Sequence, residues 1–382
     1  MVRQGRVRAN SCKARGLERY YCRLSSLRKA CKRALFSSLK RVGILSLIGN
    51  SAWRSARLPI LCYHGVAIDD EDQWDPSLYM PQHTFEGRMR FLKEAGYNVV
   101  RLREGLRRLY EGSLAPRTVV ITFDDGNHDF HARALPVLRR YGFPATVYLT
   151  TFYCDFNRPV FAVFCSYLLW KAGANAARGA ELVGVHTPLD FASAEGRLAV
   201  LDAINRRACE QGWTAQDKDG IARDLEMRLG ADGETIRRKR ILHLMTPAEV
   251  SECAAAGVDI ELHTHRHRTP DDSNLFIQEI RDNRNSIQEI TRGHPVHFCY
   301  PSGVYRSEFL PWLRSEGVES ATTCESGLAA RTSDPLLLPR IVDTTSLDEL
   351  EFEACVSGAA EGFRWAGVLG GGAGQAETLD VT

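Results

Sequence analysis

Along the middle of the chain, short runs of Val, Ile and Leu alternate with stretches in which apolar residues recur every three or four positions. The runs at 59–64, 97–102, 118–123, 145–150, 258–262, 296–300 and 320–323 read as strands. The stretches at 84–96, 102–111, 131–141, 274–290 and 309–316 read as amphipathic helices, with Gly96 and Gly142 as stops. Thr246, Pro247 and Glu249 open another helix, with Thr as cap, Pro in the first turn and Glu three residues after the cap. This alternation predicts βα units around a parallel sheet, open or closed, and hence the α/β class. The rhythm breaks over 155–243, where helical spacing at 161–172, 194–211 and 222–230 predicts a helical insertion. The expected organisation is a leader (1–57), partly helical or disordered, a body (58–358) and a flexible tail (359–382) poor in core residues. No internal repeat is visible.

At 382 residues and 44% hydrophobic content, the chain can bury a sizeable core. Its net charge of +2 hides an asymmetry. Residues 1–57 hold 15 Lys and Arg against the single acid Glu18, leaving 34 basic and 46 acidic residues beyond them. Such a leader suits an anionic lipid surface or the acidic body of its own chain, and we expect no nucleic-acid partner. Leu35, Phe36, Leu39, Val42, Ile44, Leu45 and Ile48 lie near helical spacing beside Lys32, Arg33, Lys40 and Arg41. Peripheral contact with a membrane and packing against the body are both consistent with that pattern. The uncharged stretch 42–48 is far short of the ~20 residues that a membrane span needs. Eleven cysteines without a CxxC pair predict reduced thiols and a cytoplasmic setting.

Polar residues gather just past the strand-like runs: His64 after 59–63, Asp124, Asp125 and Gly126 after 118–123, His263, His265 and His267 after 258–262, and Tyr300 with Pro301 after 296–299. In α/β barrels the chemistry sits at the carboxyl ends of the strands. Adjacent carboxylates at a strand end point in different directions, so one can bind a cation while the other takes a proton. Imidazoles four residues apart fit two ligands of one metal if the chain coils, whereas an extended chain aligns His263, His265 and His267 on one face. Histidine clusters without a metal occur on surfaces, but a cluster straight after a buried strand favours the ligand reading.

These residues carry a resemblance. Thr122, Phe123, Asp124, Asp125 and Gly126 match the TFDDG motif of the polysaccharide deacetylase (NodB-homology) family of carbohydrate esterases, and His263, Thr264 and His267 match its H-[ST]-x-x-H motif. The resemblance runs over roughly 58–345 and includes Tyr63 to Val66, 143–149 and Tyr300 to Gly303. It implies a distorted (β/α) barrel of that family's type, carrying the helical insertion. It also implies that Asp125, His263 and His267 hold a divalent metal, usually Zn2+, that Asp124 is the catalytic base, and that the Tyr300 backbone N–H steadies the oxyanion. The implied substrate is an N-acetylated glycan, and the implied activity is hydrolysis of its N-acetyl groups.

Two departures matter. The late Leu-x-His segment that supplies the acid in many members has no histidine here, and His64 resembles the members whose acid histidine precedes the Asp-Asp motif. The Arg that normally opens the third motif is missing before Pro301, so Arg340 is the candidate to pair with Asp124. Trp312 and Leu313 fit either an acetyl pocket or an amphipathic helix. The alternatives are hydrolysis of another amide or an ester on the same metal, and a carbohydrate-binding protein without turnover.

Overall fold

The computed structural model describes residues 30–156, 158–173 and 193–361. Seven parallel strands close into a barrel: β1 (Ile60–Tyr63), β2 (Thr118–Phe123), β3 (Thr146–Leu149), β4 (Asp259–Leu262), β5 (His297–Cys299), β6 (Ser320–Ser326) and β7 (Leu338–Val342). Closure comes from β7 pairing with β1 (Ile341 opposite Leu61) and β1 with β2 (Tyr63 opposite Phe123). A short strand, Asn98–Val99, pairs with the start of β2. Because the ladders are parallel, all seven carboxyl ends lie at one rim.

Strand alternation sorts the side chains into two cores. Leu61, Ile121, Phe123, Val147, Leu149, Leu262, Phe298 and Ile341 pack in the large outer core under the helices. Ile60, Val120, Tyr148, Cys299 and Leu338 pack with Leu102, Leu106 and Leu109 of the helix Leu102–Glu111, which closes the base of the barrel. A β-carbon at Gly105 would lie 2.8 Å from Val120 Cγ2 and 3.1 Å from Leu58 Cδ2, so glycine is what lets that helix seat. The spacing anticipated most of these elements. It missed β7, whose Pro339 reads against a strand.

The insertion is helical, with Phe161–Ala172, Ala194–Glu210, Ala215–Leu229 and Gly233–Lys239 around a core of Leu168, Leu169, Val200, Leu201, Ile204, Leu225 and Ile236. The third helix begins earlier than its apolar spacing suggested, because Thr214 and Asp217 form a capping box. Lys171 pairs with Asp70 at 2.6 Å and Lys239 with Asp69 at 2.7 Å, fastening the bundle to the loop that follows β1.

For the leader, the structure shows packing against the body. Phe36 and Leu45 are buried against Ala354, Ala359 and Ala360, with Lys32 on Glu351 at 2.9 Å and Lys40 on Glu353 at 2.6 Å. Val42 and Leu47 stay exposed, at 65% and 69%. Residues 1–29 and 362–382 lie outside the described residues. The expected tail boundary at 359 needs correction, since Ala359 and Ala360 are buried by the leader they pack on. No helix among the described residues is long and apolar enough to cross a membrane.

Arg54 ties leader to barrel. It is fully buried and donates to the carbonyls of Val356 (3.1 Å), Arg57 (2.6 Å) and Thr118 (2.9 Å), and burial pulls its pKa down to about 10. Replacing it leaves three carbonyls without their donors. We expect Arg54→Met to lower the unfolding free energy by about 3 kcal/mol in urea titrations. A change below about 0.5 kcal/mol, the scale of an ordinary surface substitution, contradicts the anchoring role.

Candidate active site

The turn after β2 sets the site. Asp125 takes a left-handed conformation (φ 69°) and Gly126 follows at φ 83°. A β-carbon on Gly126 would lie 2.2 Å from Leu149 Cδ1, so both the turn and the close approach require glycine there. The Asp124 amide continues the ladder onto the Tyr63 carbonyl at 2.9 Å, and Thr150 N–H donates to the Asp125 carbonyl at 3.1 Å. The two carboxylates therefore part: Asp124 is 2% exposed, and the Asp125 side chain 28%.

Asp125 faces two imidazoles. Its Oδ1 lies 3.2 Å from His263 Nε2 and 3.3 Å from His267 Nε2. The chain coils after β4, with positive φ at Thr264 (62°) and His267 (56°), which brings the two rings to 5.0 Å between centroids. His263 Nδ1 lies 2.8 Å from the Cys299 carbonyl, which can only accept. That contact places the proton on Nδ1 and leaves the Nε2 lone pair of the neutral ring facing a carboxylate. Without a metal, a second proton on the ring faces Asp125; with one bound, the same Nε2 is free to ligate it. The donor set, one oxygen and two imidazole nitrogens, fits a divalent ion of the zinc type. Burial lowers the His263 pKa, but Asp125 and Asp124 outweigh it and hold the ring above the ordinary imidazole value. Burial would likewise raise Asp125, and the two imidazoles reverse it to well below the carboxylate range.

Asp124 belongs to a second assembly. Arg340, on β7 and fully buried, grips it with both arms, Nη1 to Oδ1 and Nη2 to Oδ2, each at 2.7 Å. Arg340 Nε also donates to the Thr323 carbonyl at 2.9 Å, which fixes the plane of the fork. Burial pushes the Asp124 carboxyl up, but the Arg340 charge and hydrogen bonds overcome it and keep the group ionised far below neutral pH. His64 stands 3.7 Å from Asp124 Oδ2 through Nε2, 17% exposed at the end of β1. Cys62 and Cys299 place their sulfurs 3.6 and 3.5 Å from the same oxygen.

The structure thus brings together Asp124, Asp125, His64, His263, His267 and Arg340. Tyr300 needs a correction as oxyanion donor. Its amide donates to the Thr322 carbonyl at 3.2 Å in the barrel ladder, and its hydroxyl donates to the Leu336 carbonyl at 3.1 Å. Trp312 packs at a tilt against Phe276 and Phe309, and Leu313 is buried in the outer core, which is the amphipathic-helix reading of both. His265 lies 2.8 Å from Thr151 Oγ1 and away from the triad. His128 and His131 gather on Glu249, but the Arg240 guanidinium contacts Glu249 and stands 3.0 Å from His128 Nδ1, so a cation already occupies that cluster.

Two supporting residues escaped the sequence reading. Asn283 and Glu279, on the helix Ser273–Thr291, are buried and bond to the coil carrying His263 and His267. Their only local signal is polarity at buried positions of an otherwise apolar stripe, Phe276, Ile280 and Ile287.

A family model described as polysaccharide deacetylase matches residues 111–187 and 213–321. A Bacillus subtilis (strain 168) protein named as a polysaccharide deacetylase, YxkH, is 36% identical over 104 residues, 26% of this chain and 35% of that protein. The poly-beta-1,6-N-acetyl-D-glucosamine N-deacetylase of Escherichia coli (strain K12) is 31% identical over 104 residues, 26% of this chain and 15% of that protein. The aligned segments thus span about a third or less of these relatives. Among solved structures, the Streptococcus pyogenes deacetylase PplD in complex with acetate superposes with a TM-score of 0.52 at 18% identity, covering 78% of this chain and 98% of that one. IcaB from Ammonifex degensii gives 0.51 at 16% identity, covering 79% and 97%. These likenesses share the barrel. With the matched segments spanning the Asp-Asp and His-x-x-x-His motifs around which the site is built, the chain belongs to the polysaccharide deacetylase family.

Proposed function

We propose that this protein hydrolyses N-acetyl groups of amino sugars in a poly- or oligosaccharide or a glycolipid precursor. The observation that carries this reading is the division of labour between neighbouring carboxylates: Asp125 converges with His263 and His267, while Asp124 is held apart by Arg340 beside His64. The Escherichia coli relative, by its name, deacetylates a polymer of N-acetylglucosamine, which supports amino-sugar amides as the substrate class.

Asp125, His263 and His267 would hold the divalent ion, which supplies a water of lowered pKa and polarises the acetyl carbonyl. Asp124, ionised because Arg340 neutralises its surroundings, receives the proton of the attacking water. His64 delivers a proton to the sugar nitrogen as the C–N bond breaks, so that acetate and a neutral amine leave. The Arg340 fork keeps Asp124 in one orientation, so its accepting oxygen is aimed before substrate arrives.

Acetate release should be measured from poly-beta-1,6-N-acetylglucosamine, chitin oligomers and lipid-linked N-acetylated glycans. We expect release from at least one of them, with Asp124→Asn lowering kcat about 10^3-fold and His64→Ala about 10^2-fold. Metal bound by the wild type with no acetate from any amino sugar would favour another amide or ester, or a binding role without turnover. Stripping the protein with a chelator should abolish release, and added Zn2+ or another divalent ion should restore it; full activity after dialysis to undetectable metal contradicts the triad. Arg340→Lys keeps the charge but loses the two-pronged grip, and we expect kcat to fall at least 10-fold with KM nearly unchanged. An unaltered kcat removes the positioning role.

A further inference from the structure

The loop that carries His263 and His267 is held from behind by one face of one helix. Asn283 is fully buried, and each of its amide atoms is used. Its Oδ1 accepts the backbone N–H of His263 at 2.9 Å, while Nδ2 donates to the Leu149 carbonyl at 2.8 Å and to Thr151 Oγ1 at 2.9 Å. One side chain therefore joins the end of β3 to the end of β4 at the residue where the first imidazole leaves the sheet. One helical turn earlier, Glu279 is 1% exposed. Its carboxylate accepts the Arg266 backbone N–H at 2.8 Å and the Arg266 and Arg268 guanidinium groups at 3.0 and 2.8 Å, and its backbone carbonyl accepts the His265 N–H at 3.2 Å. Residues four apart on a helix lie above one another on the same face, so these two grips act on successive stretches of the coil.

That coil is held in a shape its own backbone disfavours. Two of its five residues, Thr264 and His267, take left-handed backbone conformations that side-chain-bearing residues disfavour. The disfavoured turns are what swing His267 back towards His263 and Asp125. We infer that Asn283 and Glu279 form a clamp that pre-sets both imidazoles for the metal, with Asn283 fixing the departure of His263 and Glu279 fixing the return of His267. Both are positioning residues: Asn283 acts through the backbone of His263, and Glu279 through the residues that flank His267. The inference rests on reading Asp125, His263 and His267 as the metal ligands.

The test is Co2+ titration of the metal-free full chain, followed by the visible absorption of the bound ion, beside thermal unfolding of the same metal-free samples. Asn283→Leu and the milder Asn283→Asp, which keeps an acceptor for the His263 amide but sets an oxygen against the Leu149 carbonyl, are compared with Glu279→Gln and with Leu313→Ala in the outer core. We expect Asn283→Leu and Glu279→Gln to weaken Co2+ binding about 10- to 100-fold and to change its absorption band, with Asn283→Asp intermediate. Leu313→Ala should lower the unfolding temperature while leaving Co2+ affinity and spectrum as in the wild type. Wild-type affinity in folded Asn283→Asp and Glu279→Gln proteins overturns the clamp, as does an equal loss in Leu313→Ala. If the wild type binds no Co2+, the failure belongs to the metal-site reading itself.

Discussion

Everything at the mouth of this barrel depends on one ion pair placed where a barrel of this size holds aliphatic side chains. Arg340 and Asp124 are both removed from water, and desolvating two charges costs several kcal/mol each unless geometry and additional hydrogen bonds offset it. Here the fork is saturated. Two parallel 2.7 Å bonds run to the carboxylate and a third goes to the Thr323 carbonyl, while the ring of Tyr148 lies 5.9 Å from the guanidinium carbon. Cys62 and Cys299 fill the remaining space with weakly polar sulfur. Because the partners come from β2 and β7, with β1 between them, the pair also draws three strands into register at the seam where the barrel closes.

The pair explains how two adjacent aspartates acquire different chemistry from the same backbone. Consecutive residues at a strand end diverge, and the left-handed turn at Asp125 widens that divergence. Asp124 turns inward to a permanent positive charge. Asp125 turns to the partly exposed rim, where the His263 and His267 imidazoles face it. Both carboxyls are depressed in pKa by groups of the protein, Asp124 by the Arg340 guanidinium and Asp125 by the His263 and His267 imidazoles.

How much of this was legible in the sequence follows from how local each cause is. Strands such as Thr118–Phe123 and the capped helix Pro247–Ala255 are fixed by neighbours within a few residues, and their patterns show it. The motif residues at strand ends were legible for the same reason. Arg340 lies on a strand that contains Pro339 and does not look like one, so only the arginine missing before Pro301 points to it. Tyr300 was misread because its amide is committed to Thr322, a partner 22 residues away that no spacing rule reveals. Asn283 and Glu279 lie beyond reach for a related reason: their partners are backbone groups on other elements, and only their burial on an apolar stripe marks them.

The floor of the barrel has a consequence for traffic. With the helix Leu102–Glu111 seated against Val120 and Leu58, and Arg54 lashing the leader to Thr118 and Val356, the lower end is sealed by packed side chains. Whatever enters must leave by the doorway it used. On the proposed reaction, the glycan and the acetate cleaved from it therefore share that one doorway.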